Sequence, residues 1–208
     1  MSETVTMYLI RHGATVQNES RPVILQGNGI DGDLSETGQR QAAAVGQFLA
    51  KTPLSAIYAS RMRRAQQTAG HIAEHHKLTV ETLPGIEEIG VGDWEGLSWP
   101  MIMEREPERY AAFMEDPTVG YPNGESFAKV LVRTETAFAP LFDRHAGESI
   151  AVVAHNVVNR VYLSQLLGID LQRSRHVKQM NCCVNVVRAR HGAAEVVALN
   201  SVFHLPEW

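Results

Sequence analysis

The stretch Val5-Thr6-Met7-Tyr8-Leu9-Ile10-Arg11-His12-Gly13 decides how the rest of the chain is read. Its β-branched and aromatic residues stop at two polar residues and a glycine, the pattern of a buried strand that runs into a loop. A second run, Ile150-Ala151-Val152-Val153-Ala154, stops at His155 and has the continuous apolar character of a strand covered on both faces. Between these runs, Ser35 is placed to cap a helix with Ala42, Val45 and Leu49 at helical spacing and Pro53 at its end. Ala56 to Ala59 reads as a strand, Ser60 as an N-cap, Arg63 to His76 as a helix, and Leu78 to Leu83 as a third strand closed by Pro84-Gly85. Gly124-Glu125-Ser126 opens a long amphipathic helix bearing Phe127, Val130, Leu131, Phe138 and Leu141, and Val157 to Leu167 is the next helix, with Gly168 as its C-terminal cap. Cys183 to Arg188 and Glu195 to Leu199, joined through His191-Gly192, read as a closing hairpin or edge pair.

Strands alternating with helices predict an α/β fold, specifically a three-layer α/β/α sandwich with a mainly parallel central sheet. The pattern changes at about residues 90–122, where glycines, prolines and two tryptophans surround short helical stretches, Met101 to Arg105 and Glu108 to Met114. This predicts a small helical and loop cap inserted into a single domain spanning 1–208.

Composition narrows the function. The 208 residues, 44% hydrophobic and 20% charged, suit one globular domain. A net charge of -4 gives no bulk field toward nucleic acid or anionic lipid, so neither is expected as a partner. The two cysteines, Cys182 and Cys183, are adjacent and cannot frame a disulfide-rich secreted fold; they read as structural thiols in a reducing cytoplasm. No basic, apolar leader opens the sequence, and no apolar run approaches the roughly 20 residues needed to span a bilayer, so no membrane association is expected.

In sheets of this kind, ligands bind beyond the carboxyl ends of the strands. Arg11 and His12 stand there after the first strand, Ser60 with Arg61, Arg63 and Arg64 after the second, and His155 after the Ile150 to Ala154 strand. A lone histidine after a strand is more often a structural hydrogen-bonder than a catalyst, and each arginine alone also reads as a solvated first-turn residue or part of a weak nucleic-acid patch. Together they offer forked donors that match phosphate oxygens, with Gly13 allowing an anion close to the backbone.

The same residues carry a family resemblance. Arg11-His12-Gly13-Ala14-Thr15-Val16-Gln17-Asn18, with Gln26-Gly27 and Leu34-Ser35-Glu36-Thr37-Gly38, resembles the opening of the histidine phosphatase superfamily, the phosphoglycerate mutase-like clan. Ser60 to Ala69 resembles its second motif, Glu88-Ile89 with Gly92-Asp93-Trp94-Glu95-Gly96 its third, and Val152-Val153-Ala154-His155 its fourth. The resemblance implies that His12 is a nucleophile that takes the phosphoryl group, and that Arg11, Arg64, His155 and Asn18 hold its oxygens. It implies further that Glu88 is the proton donor and that Gln26 and Gly27 lie near the substrate. Glu88 is preferred to the adjacent Glu87 because the family places its acid directly before an apolar residue; Trp94 and Glu95 read as loop support. Ala14, Arg61 and Asn156-Val157 depart from the usual pattern around the pocket. The implied activity is phosphomonoester hydrolysis on a small phosphorylated metabolite, with no metal or cofactor.

Three other readings stand beside it. One is a phosphoglycerate mutase, which would require 2,3-bisphosphoglycerate; the chain is short for one, and has Ile86-Glu87-Glu88-Ile89 around the acid. Another is a non-catalytic phospho-ligand-binding module. The third is a zinc peptidase, since His71-Ile72-Ala73-Glu74-His75 fits His-x-x-Glu-His, a pattern also explained as a solvated helix end. Trp94, Trp99, Met101, Tyr110, Phe113 and Tyr121 form either a cap core or a pocket wall above the phosphate. The apolar tail Val202-Phe203-His204-Leu205-Pro206 packs either on its own domain or in a homodimer.

Overall fold

Six strands form one sheet among the residues that the computed structural model describes, 3–190 and 192–205. They are β1 (Val5–Arg11), β2 (Leu54–Ala59), β3 (Val80–Thr82), β4 (Ser149–Ala154), β5 (Val184–Arg190) and β6 (Ala193–Ser201), in the order β3-β2-β4-β1-β5-β6. The first four positions are parallel; β5 and β6 continue the sheet antiparallel, giving the expected edge pair and a mixed sheet. His191, at the expected hairpin turn, and Pro206, in the expected tail, lie outside the described residues.

Helices are α1 (Val16–Glu19), α2 (Glu36–Leu49), α3 (Arg63–Ala73), α4 (Trp99–Arg105), α5 (Pro107–Glu115), α6 (Phe127–Arg144) and α7 (Asn156–Leu166). Strand periodicity sorts the two faces. Met7 and Leu9 of β1 join Ile150, Val152 and Ala154 of β4 in a core shared with α6 and α7. Ile10, Ala151 and Val153 point the other way, into a core with Ala42, Val45 and Leu49 of α2 and Ala65, Ala69 and Ile72 of α3. Both faces are covered, which is why β4 reads as an unbroken apolar run.

Several local expectations shift. Ser60 does not cap α3: the N-cap is Met62, without a side-chain bond, and Ser60 Oγ instead accepts from Met62 N across a turn. The helix stops at Ala73 rather than His76, and β3 is confined to Val80–Thr82, because it pairs on one side only, with β2. Ser35, Ser126 and Gly168, with its φ of +67°, do cap as expected. The tail folds back on the domain: Val202 and Leu205 are buried in the α2–α3 core, while Phe203 is 93% exposed.

Residues 90–122 build a separate apolar cluster beyond the sheet. Fully buried Trp94 is its centre, edge-on to Trp99, Phe113 and Tyr121 at ring separations of 6.0, 5.4 and 5.8 Å, with Leu25 and Ile102 packed in. Met101 stays on the surface and takes no part.

The loop after β1 is clamped by α2 at Gly38, where an added Cβ would run into the Ala14 carbonyl; one at Gly13 would meet Gly38 O at 2.6 Å. Gly13 is thus required by helix packing. Gly70, inside α3, has open space around its would-be Cβ. Gly70→Ala should therefore raise stability by about 0.5–1 kcal/mol through helix propensity and chain entropy. Gly38→Ala, although the same chemical change in a helix, should lower it by more than about 1 kcal/mol. Chemical denaturation of the two variants checks the contrast, and equal effects would remove the clamp.

Candidate active site

The site begins with a register. Parallel pairing of β1 with β4 sets Arg11 opposite Ala154, and His12 N donates to Ala154 O at 3.1 Å, so the residues after each strand emerge side by side. The His12 and His155 rings end 5.1 Å apart, both buried. Ser60 N donates to Val153 O at 3.0 Å, which brings the start of α3 and its Arg64 to the same crevice. Gly13 N donates to Thr68 Oγ1, whose hydroxyl donates to Arg64 O, binding the two loops together.

His12 Nδ1 lies 2.7 Å from Gly13 O. A carbonyl only accepts, so Nδ1 carries the proton and the Nε2 lone pair is left free in a ring that lines the cleft. Burial, then the charges of Arg64 and Arg11, hold the His12 pKa well below its usual range; His155 is displaced the same way by burial, Arg64, His12 and Arg11. Both imidazoles are neutral at neutral pH.

The arginines are held by carbonyls. Arg64, fully buried, donates to Ile30 O and Gly27 O at 2.9 Å each, and Arg11 to Gln179 O at 2.7 Å. Neither forms an ion pair among the described residues. Arg11 Nε, Arg64 Nε and both ring nitrogens of His155 are sealed from solvent without a partner. Unpaired cations and orphaned donors in one hole destabilise the empty protein and are relieved by an anion. Asn18 faces the same cleft; its Oδ1 accepts from Thr15 N and Asn181 Nδ2, which turns its amide N–H groups outward as donors.

The other expected site residues separate. Glu88 lines the cleft, its carboxylate accepting from Ile89 N at 2.9 Å and from Val157 N, in the first turn of α7, at 3.2 Å. Glu87 points away, to Arg61 Nε at 3.1 Å and Gly85 N. Arg61 and Arg63 are surface residues, Arg63 paired with Asp33 at 2.7 Å. Gln26 lines the cleft and accepts from Thr15 Oγ1. Gly27 does not: its carbonyl holds Arg64 and its N–H donates to Glu95 Oε1, so it stands behind the site. Glu95 also accepts from Gly29 N, the loop support expected of it. In the His-x-x-Glu-His segment, His71 Nε2 is engaged with Gln39 Oε1, and no group of three or more metal-ligating side chains occurs among the described residues.

Two groups of residues come from the structure alone. Asn181 Nδ2 donates to His12 O as well as to Asn18 Oδ1, and Gln179 and Asn185 exchange side-chain amide bonds behind Arg11. Gln179 and Asn181 lie in the loop before β5, which has no periodicity to reveal them, and Asn185 is a buried polar residue within β5 itself. Arg160 and Arg175 enter the cleft, about 500 Å³ in volume, beside Trp99, Tyr110, Phe113 and Tyr121. Arg160 could have been found, because it falls one helical turn after Asn156 on the face that follows His155.

Comparison with known proteins agrees with this geometry. Residues 7–202 match the family model described as histidine phosphatase superfamily (branch 1). The chain is 33% identical to phosphoserine phosphatase 1 of Hydrogenobacter thermophilus over 98% of this chain and 96% of that one. It is 34% identical to a metal-independent phosphoserine phosphatase of Arabidopsis thaliana, over 98% and 84% respectively. Relatives named phosphoglycerate mutase-like also match. The solved structure of Bacillus stearothermophilus YhfR superposes with a TM-score of 0.89 at 30% identity, covering 97% of this chain and 99% of that chain.

The depressed histidines have a measurable consequence. The unfolded chain binds protons at His12 and His155 as the pH falls through about 6.5, while the folded chain does not until lower pH. Their neutral burial therefore costs nothing above that pH and reduces stability progressively below it, by up to about 1.4 kcal/mol per pH unit for each. Thermal and urea melts from pH 7.5 to 5 should show this fall, shallower in His155→Asn; stability that rises on acidification would contradict it.

Proposed function

The chain belongs to the histidine phosphatase superfamily, and from that premise we propose a two-step hydrolysis of phosphomonoesters through a phosphohistidine at His12. What carries this reading is the combination of a neutral imidazole of fixed tautomer with a sealed ring of unpaired cationic donors around it. The chain is a phosphomonoesterase of the metal-independent kind, acting on small phosphorylated substrates.

In the first step His12 Nε2 attacks phosphorus as the ester P–O bond breaks. Arg11, Arg64 and Asn18 donate to the equatorial oxygens, in place before charge develops there. His155, neutral at neutral pH, offers its ring N–H as a further donor to those oxygens. Glu88 gives its proton to the departing alkoxide. In the second step the Glu88 carboxylate takes a proton from water, the water oxygen attacks phosphorus, the P–N bond breaks, and phosphate leaves with His12 restored.

No metal or organic cofactor enters this scheme. The two cysteines are free and buried, with Cys183 pushed up to about 11 by burial, which suits an enzyme of the reducing cytoplasm. The second reading, a phosphoglycerate mutase primed by 2,3-bisphosphoglycerate, draws on the mutase-like relatives. Identity does not separate the two, since the mutase-like relative is 35% identical over 96% of this chain; the hydrolase is preferred because the chain is short for a mutase and has Ile86-Glu87-Glu88-Ile89 around the acid.

Phosphate release from an aryl phosphate in excess chelator should proceed in the wild type. It should fall by about 10³-fold or more in His12→Ala and by about 10²–10⁴-fold in Glu88→Gln. Release unchanged in His12→Ala would displace the nucleophile. Interconversion of 3- and 2-phosphoglycerate that depends on 2,3-bisphosphoglycerate and outruns release would make the mutase the right reading.

A further inference from the structure

The reacting end of the cleft already has enough cations for one phosphoryl group, and Arg160 is surplus to it. This side chain extends from α7 into the same cleft, half-buried, and no hydrogen bond or ion pair reaches its guanidinium among the described residues. Its Nε is sealed from solvent without a partner. One face of the guanidinium lies over the Phe127 ring, 5.1 Å from its centroid, which fixes the plane by cation–π attraction and leaves the N–H edge free. The edge is the part of an arginine that grips a carboxylate or phosphate through two parallel bonds.

A second positive charge stands nearby. Arg175, in the short helical turn Leu171–His176, donates to Met114 O at 2.9 Å, tying that turn to α5 at the rim of the cleft. Burial disfavours the Arg160 charge, and Arg175 adds to this; Tyr121, its hydroxyl pushed up to about 12 by burial and therefore neutral, and Glu88 lie near, yet neither closes to an ion pair or hydrogen bond with Arg160 among the described residues. Two guanidinium groups stand beside an aromatic wall, neither in an ion pair among the described residues. They suit an anion that arrives with the substrate.

Resting on the phosphatase reading, we infer that Arg160, seconded by Arg175, is a specificity residue that binds a second anionic group on the leaving alcohol, so that the enzyme selects phosphomonoesters bearing a carboxylate or a second phosphate. The contact is made to the part of the substrate that does not react. It acts on discrimination between esters rather than on the phosphoryl transfer they share.

The test compares matched esters on the wild-type protein: 3-phosphoglycerate with glycerol 3-phosphate, O-phosphoserine with O-phosphoethanolamine, and fructose 1,6-bisphosphate with fructose 6-phosphate. In at least one pair the member with the extra anion should have a kcat/KM about 10- to 100-fold higher, the worth of a charge-assisted contact. The first two pairs report a carboxylate and the third a phosphate. That preference should collapse toward unity in Arg160→Gln, mainly through KM, return in part in Arg160→Lys, and shrink several-fold in Arg175→Gln, a substitution at an exposed position. A residue that merely supports the cleft or tunes Glu88 would slow both members of a pair alike and leave the ratio untouched. Hydrolysis of an aryl phosphate with no preference in any pair, or a preference that survives Arg160→Gln, overturns the inference while leaving the phosphatase intact. Release from no ester at all defeats the phosphatase reading itself, and this inference with it.

Discussion

Parallel pairing of β1 with β4 is the constraint on which the site depends. Residues far apart in sequence, 11–12 and 155, are set side by side because Arg11 is registered opposite Ala154 and His12 N is anchored to Ala154 O. A slip of one residue would turn every side chain of β4 to the other face of the sheet, sending Ala151 and Val153 into the wrong core and removing His155 from His12. The register is therefore enforced twice, by the separate apolar cores on the two faces of the sheet, and the geometry of the candidate site follows from that packing.

Around that register the protein keeps charge where water cannot reach it. Arg64 is fully buried, yet its nitrogens meet main-chain carbonyls instead of carboxylates, and Arg11 is held the same way by Gln179 O. Neutral acceptors fix the direction of a guanidinium without cancelling its charge, which leaves the field for an incoming anion. Burial together with the same field holds His12 neutral, so one arrangement leaves the Nε2 lone pair free and presents cations to an anion, which is what the proposed reaction needs. The carbonyls must in turn be fixed: Glu95 pins the 27–29 loop through the N–H groups of Gly27 and Gly29, and the paired amides of Gln179 and Asn185 secure the carbonyl on Arg11. Much of the polar network outside the reacting groups serves to position acceptors.

The residues that were legible in advance have strong local signatures. The apolar runs ending at Arg11-His12-Gly13 and at His155 announce two buried strands with chemistry at their ends, and Ser35, Ser126 and Gly168 mark helix boundaries through caps whose hydrogen bonds are local. Ser60 misled because it is a good capping residue in a place where the chain still turns before Met62. Glu88 and Glu87 are chemically identical neighbours; an ion pair with Arg61 draws one outward while Val157 N holds the other in the cleft, a distinction no local pattern contains. Among the aromatics, Trp94 is wholly enclosed whereas Trp99, Tyr110, Phe113 and Tyr121 are shared between the cap and the cleft wall, and Met101 is left in solvent.

By itself, the sequence determined the α/β class, the order of the elements, and which residue types stand after the strands. These depend on periodicity and capping, interactions that span a few residues. Tertiary structure decided the tautomer of His12, the unpaired state of Arg11, Arg64 and His155, the roles of Asn181 and Gln179, and the place of Arg160 over Phe127. Each of these depends on which carbonyl, ring or amide from a distant segment arrives within about 3–5 Å, and the burial that shifts a pKa or strands a donor exists only once those segments have closed around it.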